Sequence, residues 1–97
     1  MAAYLVALVD VTDPDAYQEY AKRAGAAAKK RGIQFLARGG RTVSLEGAPP
    51  PGRVVIIPFE NMEAAQSYYD SPDYQEAKSF REGAAEAQFF LVEGPDL

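Results

Sequence analysis

Residues 3–11 read Ala-Tyr-Leu-Val-Ala-Leu-Val-Asp-Val, and this stretch, with the Thr-Asp-Pro-Asp of residues 12–15, decides the fold. Apolar side chains at both odd and even positions, several of them β-branched, predict a strand that is buried on both faces. Asp13 is suited to cap a helix that begins at Pro14, because the first helical residue needs no partner for its N–H. The chain therefore opens with a strand that leads directly into a helix.

The helix that follows has one apolar side. Tyr17, Tyr20, Ala21, Ala24 and Ala28 recur at helical spacing, while the charged residues between them lie on the other side. Glycine is common just past the last residue of a helix, because it readily adopts a positive φ. We therefore expect Gly32 to end this amphipathic helix.

The middle of the chain predicts two further strands. Residues 33–46 form an extended stretch, in which Gly39-Gly40 indicates a bulge or a close backbone approach. Residues 47–52 read Gly-Ala-Pro-Pro-Pro-Gly and predict a stiff loop. Residues 53–59 are again almost continuously apolar, which is typical of a strand buried on both faces.

Two helix starts and a last strand complete the pattern. Asn61 is a candidate cap for a helix through about residue 70, and Ser71-Pro72-Asp73 starts another that runs to about residue 82. Residues 88–93 predict the final strand. The order β-α-β-β-α-β is that of a ferredoxin-like α+β fold with a four-stranded antiparallel sheet.

The two faces of this sheet need two covers. Helices on right-handed crossovers cover one face only, yet the strands carry apolar residues at both parities. A second copy that packs sheet against sheet would supply the other cover. We therefore expect a homodimer. The alternative is that the outer face is small and its apolar residues have no partner.

Composition excludes several classes of protein. A chain of 97 residues has room for one core, so we expect a single domain over residues 1–97. The absence of Cys, His and Trp removes thiolate and imidazole chemistry, so no metal site and no cofactor are expected. A net charge of −4, no long apolar run and no basic leader favour a cytoplasmic protein without nucleic-acid or membrane partners.

Aromatic and basic side chains meet where the helices cover the sheet. Most tyrosines fall in the predicted helices, and two arginines lie at positions that face them: Arg81 on the apolar stripe of the last helix and Arg38 beside the glycine pair. Guanidinium groups near phenols suit a carboxylate or an enolate. The candidate ligand-binding residues are Tyr17, Tyr20, Tyr69, Arg38 and Arg81.

Each of these residues also has a structural interpretation. The tyrosine hydroxyls can lie in water at the edge of the core, and Arg81 can extend to solvent or pair with Glu46 or Asp10. Asp10 and Glu46 are the candidate general bases by elimination, because they are strand acids away from the termini. The alternative for both is a solvated carboxylate at the end of a strand.

A series of short motifs covers nearly the whole chain: Arg38-Gly39-Gly40, Leu45-Glu46-Gly47, residues 53–57, Phe59, Ala64-Ala65, Tyr68-Tyr69, residues 71–74, Arg81 and Val92-Glu93-Gly94. In this combination and order the chain resembles the domain-of-unknown-function 1330 family. The resemblance implies a ferredoxin-like protomer of the dimeric α/β-barrel superfamily but no established activity. Relatives in that superfamily include cofactor-free monooxygenases, lactone isomerases and haem enzymes, and this chain differs from the last in having no histidine.

Two functions remain open at this point. The first is a small dimer that binds an organic acid or aromatic metabolite between helices and sheet, extending to acid/base catalysis without a cofactor. The alternative is a non-catalytic dimeric ligand-binding or accessory module, in which Arg38 and Arg81 serve structural ion pairs. A pocket lined by tyrosines and an unpaired arginine favours the first, and a pocket filled by side chains favours the second.

Overall fold

The computed structural model describes residues 1–50 and 52–95. Its elements follow one another along the chain as β1 (Ala3–Val11), α1 (Pro14–Lys30), β2 (Ala37–Arg38), β3 (Arg53–Phe59), α2 (Met62–Asp70), α3 (Pro72–Ser79) and β4 (Ala85–Glu93). The four strands form one sheet in the order β2-β3-β1-β4, with antiparallel neighbours throughout. The predicted βαββαβ fold is thereby confirmed, with the second helical region split into α2 and α3.

Local hydrogen bonds set the helix ends. The Asp13 carboxylate accepts from the N–H of Ala16 at 3.2 Å, and the Asn61 side chain accepts from the N–H of Ala64 at 2.8 Å. Ser71 ends α2 and begins α3, and its hydroxyl donates to the Tyr68 carbonyl at 2.6 Å. Gly32 follows α1 with a φ of +70°. These capping positions are the ones that the sequence predicts, because each cap involves residues only a few positions apart.

The helices cover one face of the sheet. On β1, Leu5, Ala7 and Val9 are buried against the helices, whereas the alternate residues, Tyr4 among them, are only half-buried. The molecule measures 38 × 37 × 17 Å, and its shortest dimension, 17 Å, is the thickness of one sheet and one helical layer. The outer face therefore carries apolar side chains that no helix among the described residues covers; Phe90 is 47% exposed there.

The second strand is much shorter than the sequence predicts. Pairing with β3 stops at the bond from the Gly39 N–H to the Val54 carbonyl, 2.9 Å long. Gly39 has a φ of +71°, which turns the chain away, and residues 41–49 are exposed outside any strand. Because β3 begins at Arg53, the residues that follow the glycine pair have no strand opposite them to pair with. The expected extended stretch over residues 33–46 is wrong beyond Gly39.

Smaller differences lie at the ends of other elements. α3 ends at Ser79, before the predicted end near residue 82, and β4 begins at Ala85, three residues before the predicted start. Pro51, part of the predicted proline loop, lies outside the described residues. Over the ranges 1–50 and 52–95, no helix combines the length and apolar character that crossing a bilayer requires.

Candidate functional site

A cavity of about 30 Å³ lies between the helices and the sheet. Its sheet side is aliphatic and its helix side is aromatic; the aliphatic wall consists of Leu5, Ala7, Val9, Val55 and Ile57. One water occupies roughly 30 Å³ in the liquid, and pockets for drug-sized ligands measure about 300–1,000 Å³. The cavity is therefore nearly filled by the protein's own side chains.

The aromatic wall is a cluster of tyrosines from α1, α2 and α3. Tyr20 is central: its ring centroid lies 5.3 Å from that of Tyr17 and 6.3 Å from that of Tyr74. The Tyr20 and Tyr74 hydroxyls are 2.8 Å apart, and the Tyr68 hydroxyl donates to the Ala24 carbonyl at 3.4 Å. The buried phenols therefore bond to one another and to the helix backbone, rather than to carboxylates.

Burial keeps these phenols protonated. It raises the pKa of Tyr20 far above its usual value, and the neighbouring Tyr74 raises it further. Burial also raises the pKa of Tyr17, although the positive charges of Arg53, Arg81 and Arg38 act in the opposite direction. At neutral pH the tyrosines can donate hydrogen bonds to a ligand, but they are poor general bases.

Arg38 closes one side of the cavity. It lies opposite Val55 in the sheet and so faces the helices, and its Nη2 donates to the Ala21 carbonyl at 2.9 Å. Its guanidinium lies 4.3 Å from the centre of the Phe35 ring. Gly25 provides the space on the helix side, since a Cβ there would come within 2.7 Å of Nη2. The sequence therefore places Arg38 correctly next to the helical layer.

Arg53 is a second arginine at the cavity, and the sequence interpretation missed it. Its guanidinium carbon lies 5.5 Å from the centre of the Tyr17 ring, and its Nε is buried without a hydrogen-bond partner among the described residues. Gly39 lies against this group, where a Cβ would come within 2.7 Å of Cζ. The available signal was the alternation of β3, because Arg53 has the same parity as the buried Val55 and Ile57.

Arg81 lies beside the aromatic cluster rather than in the cavity wall. Its guanidinium carbon is 4.2 Å from the centre of Phe89 and 5.2 Å from that of Tyr20. Its Nε is also buried without a partner within the described part of the chain. No ion pair joins Arg81 to Asp10 or Glu46, so the structural pairing considered from the sequence is not observed.

The structure brings only some of the candidate residues together. Tyr17, Tyr20 and Arg38 line the cavity, and Arg81 is adjacent to it. Tyr69 packs against Tyr74 at 5.2 Å but faces a separate open groove beside β4. It is half-buried and lies outside the cavity wall.

The two candidate bases lie away from the cavity. Asp10 is exposed and has the parity of Tyr4 and Val6, which places it on the outer face of the sheet. Glu46 is exposed in the loop between β2 and β3, because the strand expected to hold it ends at Arg38. Neither carboxylate lines the cavity, so the arrangement observed does not supply a base there.

The charge at this site is unbalanced. Ion pairs in the described ranges join Arg23 to Glu19 and Glu76, and Arg31 to Asp73, all on the helical surface. None involves Arg38, Arg53 or Arg81, which we call the arginine group. No carboxylate lines the cavity. The site therefore offers positive charge and hydrogen-bond donors to whatever approaches it.

Solved structures with the same fold include proteins of known and unknown function. One is the RPA0582 protein of unknown function from Rhodopseudomonas palustris (20% identity, TM-score 0.71, 99% of this chain and 84% of that chain). Another is SnoaB, a cofactor-independent oxygenase from Streptomyces nogalater (12% identity, TM-score 0.66, 99% and 95%). A third is a dimeric protein of unknown function and ferredoxin-like fold from Bacteroides fragilis (12% identity, TM-score 0.66, 96% and 96%).

These similarities show the fold, since all three identities are low. No curated protein is detectably similar to this chain. The model of the family described as a domain of unknown function (DUF1330) matches residues 2–95, nearly the whole sequence. The resemblance seen in the sequence motifs is thereby confirmed, and the chain belongs to this family.

Proposed function

We propose that the protein binds a small organic anion at the arginine group. The observation that supports this proposal is that Arg53 and Arg81 lie against buried tyrosines, and Arg38 against Phe35, without a carboxylate partner among the described residues. Arg38 is exposed, but Arg53 and Arg81 are half-buried, and charges taken partly out of water cost free energy unless something pairs with them. An anionic ligand would supply the missing charge, and carboxylates suit the planar fork of a guanidinium.

The nearly filled cavity restricts where the ligand lies. With about 30 Å³ inside, its body rests at the mouth, against Arg38, Phe35 and Tyr17, and only its anionic end approaches the phenols. This is the observation that favours the second candidate function, a non-catalytic binding module whose aromatic cluster is structural. Cytoplasmic location stays a prediction for either function.

Catalysis at such a site would rest on stabilising an anion. Protonated phenols and guanidinium groups can hold an enolate or a developing oxyanion, but they do not remove a proton. Asp10 and Glu46 lie away from the cavity, so either carboxylate could reach the ligand only if another surface brought it there. A substrate that ionises by itself fits the site best, and the description of SnoaB, a protein of similar fold, as a cofactor-independent oxygenase supports this proposal.

We further infer that the protein works as a homodimer through the outer face of the sheet. Phe90 and Val92 are 47% and 48% exposed there, and Tyr4, Val6 and Ile56 are only half-buried. A contiguous apolar surface of this kind usually marks a contact with another protein. The description of the Bacteroides fragilis protein as dimeric supports a second copy as the partner.

The test of anion binding compares ligands of one shape and different charge. We expect isothermal titration calorimetry to detect benzoate and not benzamide, because only benzoate pairs with a guanidinium. Arg53→Gln should weaken benzoate binding about tenfold or more. Arg41→Gln is the control, since it removes the same charge from an exposed loop position. Equal binding of benzoate and benzamide, or no effect of Arg53→Gln, would contradict the proposal.

A further inference from the structure

Arg81 lacks a hydrogen-bond acceptor at a place of its own. Its guanidinium packs against Phe89 at 4.2 Å, and its Nε is buried without a partner among the described residues. Arg81 lines an open groove with Lys78 and Glu82, apart from the cavity described above. No ion pair joins Glu82 to either cation in the described ranges. Nearly all buried polar groups have partners, so this exception calls for an explanation.

The loop between β2 and β3 has the opposite deficiency. Val43 and Leu45 are 66% and 90% exposed, although both are apolar. Glu46 follows them, is exposed, and is the only acidic residue in positions 20–59. It forms no ion pair within the part of the chain that the structure describes. The loop therefore presents apolar side chains and one carboxylate to whatever lies beyond the protomer.

The sheet places this loop and the Arg81 groove at opposite edges and at the same end. The strand order β2-β3-β1-β4 gives the opposite edges. The register gives the common end, because Val9 pairs both with Arg53, where the loop ends, and with Ala87, which lines the groove. Among the described residues no strand lies beyond β4, so its outer edge is free. A two-fold axis along the strands would bring the loop of each copy beside the groove of the other.

We propose that Glu46 of one protomer pairs with Arg81 of its partner, around the free edge of β4. This inference rests on the homodimer proposed above, and it leaves the ligand of the proposed function to Arg38 and Arg53. Sheets packed face to face lie about 10 Å apart. Residues 41–46 can span up to about 20 Å when extended, so the loop is long enough to reach the groove.

The exposed residues favour this axis over the other way of packing two sheets. A two-fold axis across the strands would set β4 beside β4 and keep each loop at the edge that holds β2. Val43 and Leu45 would then stay away from the free edge of β4, and Arg81 would stay away from Glu46. The axis along the strands meets both deficiencies with one contact, because the ion pair and the apolar cover come from the same loop.

Cross-linking tests the contact directly, because the sequence contains no cysteine. Leu45→Cys combined with Glu82→Cys puts a thiol beside each member of the proposed pair and leaves both members in place. A short bismaleimide should then join two protomers into a covalent dimer on denaturing electrophoresis. Either cysteine alone should give none. Glu60→Cys in place of Glu82→Cys is the matched control, since Glu60 follows Phe59 at the other end of the sheet.

Sedimentation equilibrium measures what the ion pair contributes to the dimer. Glu46→Gln should raise the dissociation constant of the dimer about tenfold, because it leaves the partner's guanidinium without a counter-charge. Glu46→Gln added to Arg81→Met should have no further effect, since the pair is already broken. Glu60→Gln removes the same charge from an exposed position at the far end and should leave the dissociation constant unchanged.

The outcomes separate this inference from the proposals on which it rests. If the unmodified protein is a monomer, the homodimer proposal fails and the ion pair fails with it. If the protein is a dimer but the Leu45→Cys, Glu82→Cys variant gives no covalent dimer, the ion pair alone is overturned. An unchanged dissociation constant for Glu46→Gln would overturn it as well, whether or not Arg81→Met folds. Failure of benzoate to bind would overturn the anion site alone.

Discussion

The hydroxyl of Tyr20 lies 2.8 Å from the hydroxyl of Tyr74, and this buried hydrogen bond joins α1 to α3. The two residues are 54 positions apart, and each is less than a tenth exposed. The bond connects the helix that carries Tyr17 to the segment that leads into Arg81. It therefore helps to fix the distance between the two sides of the candidate site.

Removing one of the two hydroxyls should destabilise the protein. Tyr20→Phe leaves the Tyr74 hydroxyl buried without a partner, which costs about 1–3 kcal/mol in the free energy of unfolding. Tyr20→Phe combined with Tyr74→Phe should cost less than the sum of the two single changes, as urea unfolding can measure. Tyr69→Phe is the control, because the Tyr69 hydroxyl makes no hydrogen bond to any residue that the structure describes. Strict additivity would show that the two hydroxyls are not coupled.

Alanine substitutions at Gly39 and Gly40 should affect stability and binding unequally. Gly39 has a φ of +71° and its Cβ would come within 2.7 Å of the Arg53 guanidinium, whereas a Cβ at Gly40 meets nothing within 4 Å. We expect Gly39→Ala to lower the free energy of unfolding by about 1–2 kcal/mol and to weaken benzoate binding, because it displaces Arg53. Gly40→Ala should change stability by no more than about 0.5 kcal/mol. Equal effects in thermal unfolding and calorimetry would refute this assignment.

The ion pair between α1 and α3 should make stability depend on pH. Arg31 donates to the two Asp73 oxygens at 2.8 and 2.9 Å, and with Ser71 it holds the pKa of that carboxyl well below its usual range. A lowered pKa in the folded state stabilises above the unfolded value of about 3.9, and the contribution is lost as the pH falls further. Asp73→Asn should therefore lower the melting temperature at pH 7.

The melting temperatures of the original protein and of Asp73→Asn should converge in acid. As the pH falls below about 4, the Asp73 carboxyl gains a proton in the unfolded chain while it stays ionised in the folded protein, so the unfolded state is favoured and the difference in melting temperature should shrink. Glu60→Gln is the control, because Glu60 is exposed and forms no ion pair in the described ranges. A difference that stays constant down to pH 3 would mean that Asp73 acts through something other than its charge.

A charge on the outer face of the sheet should prevent dimer formation. The protein itself should show a mass near twice 10.5 kDa by light scattering, and Phe90→Glu should reduce it to the monomer. Phe80→Glu is the matched control on the helical layer, where Phe80 is 36% exposed and packs against Arg23. A monomeric parent protein, or a Phe90→Glu variant that remains dimeric, would contradict the outer face as the interface.

The sequence by itself determined the element order and the helix ends. Asp13, Asn61 and Ser71 cap helices through hydrogen bonds to backbone groups three residues away, so the local pattern carries the whole interaction. The strand alternation likewise determined which β1 residues share a face, because successive side chains point to opposite sides. These features need no knowledge of distant parts of the chain.

Only the tertiary structure decided the site. Arg38, Arg53 and Arg81 come from β2, β3 and the turn after α3, and their shared neighbourhood depends on how the sheet order places those segments around α1. The same packing put Asp10 on the outer face and shortened β2, which left Glu46 in a loop. Contacts between residues many positions apart depend on the closure of the whole chain, so spacing along the sequence carries no record of them.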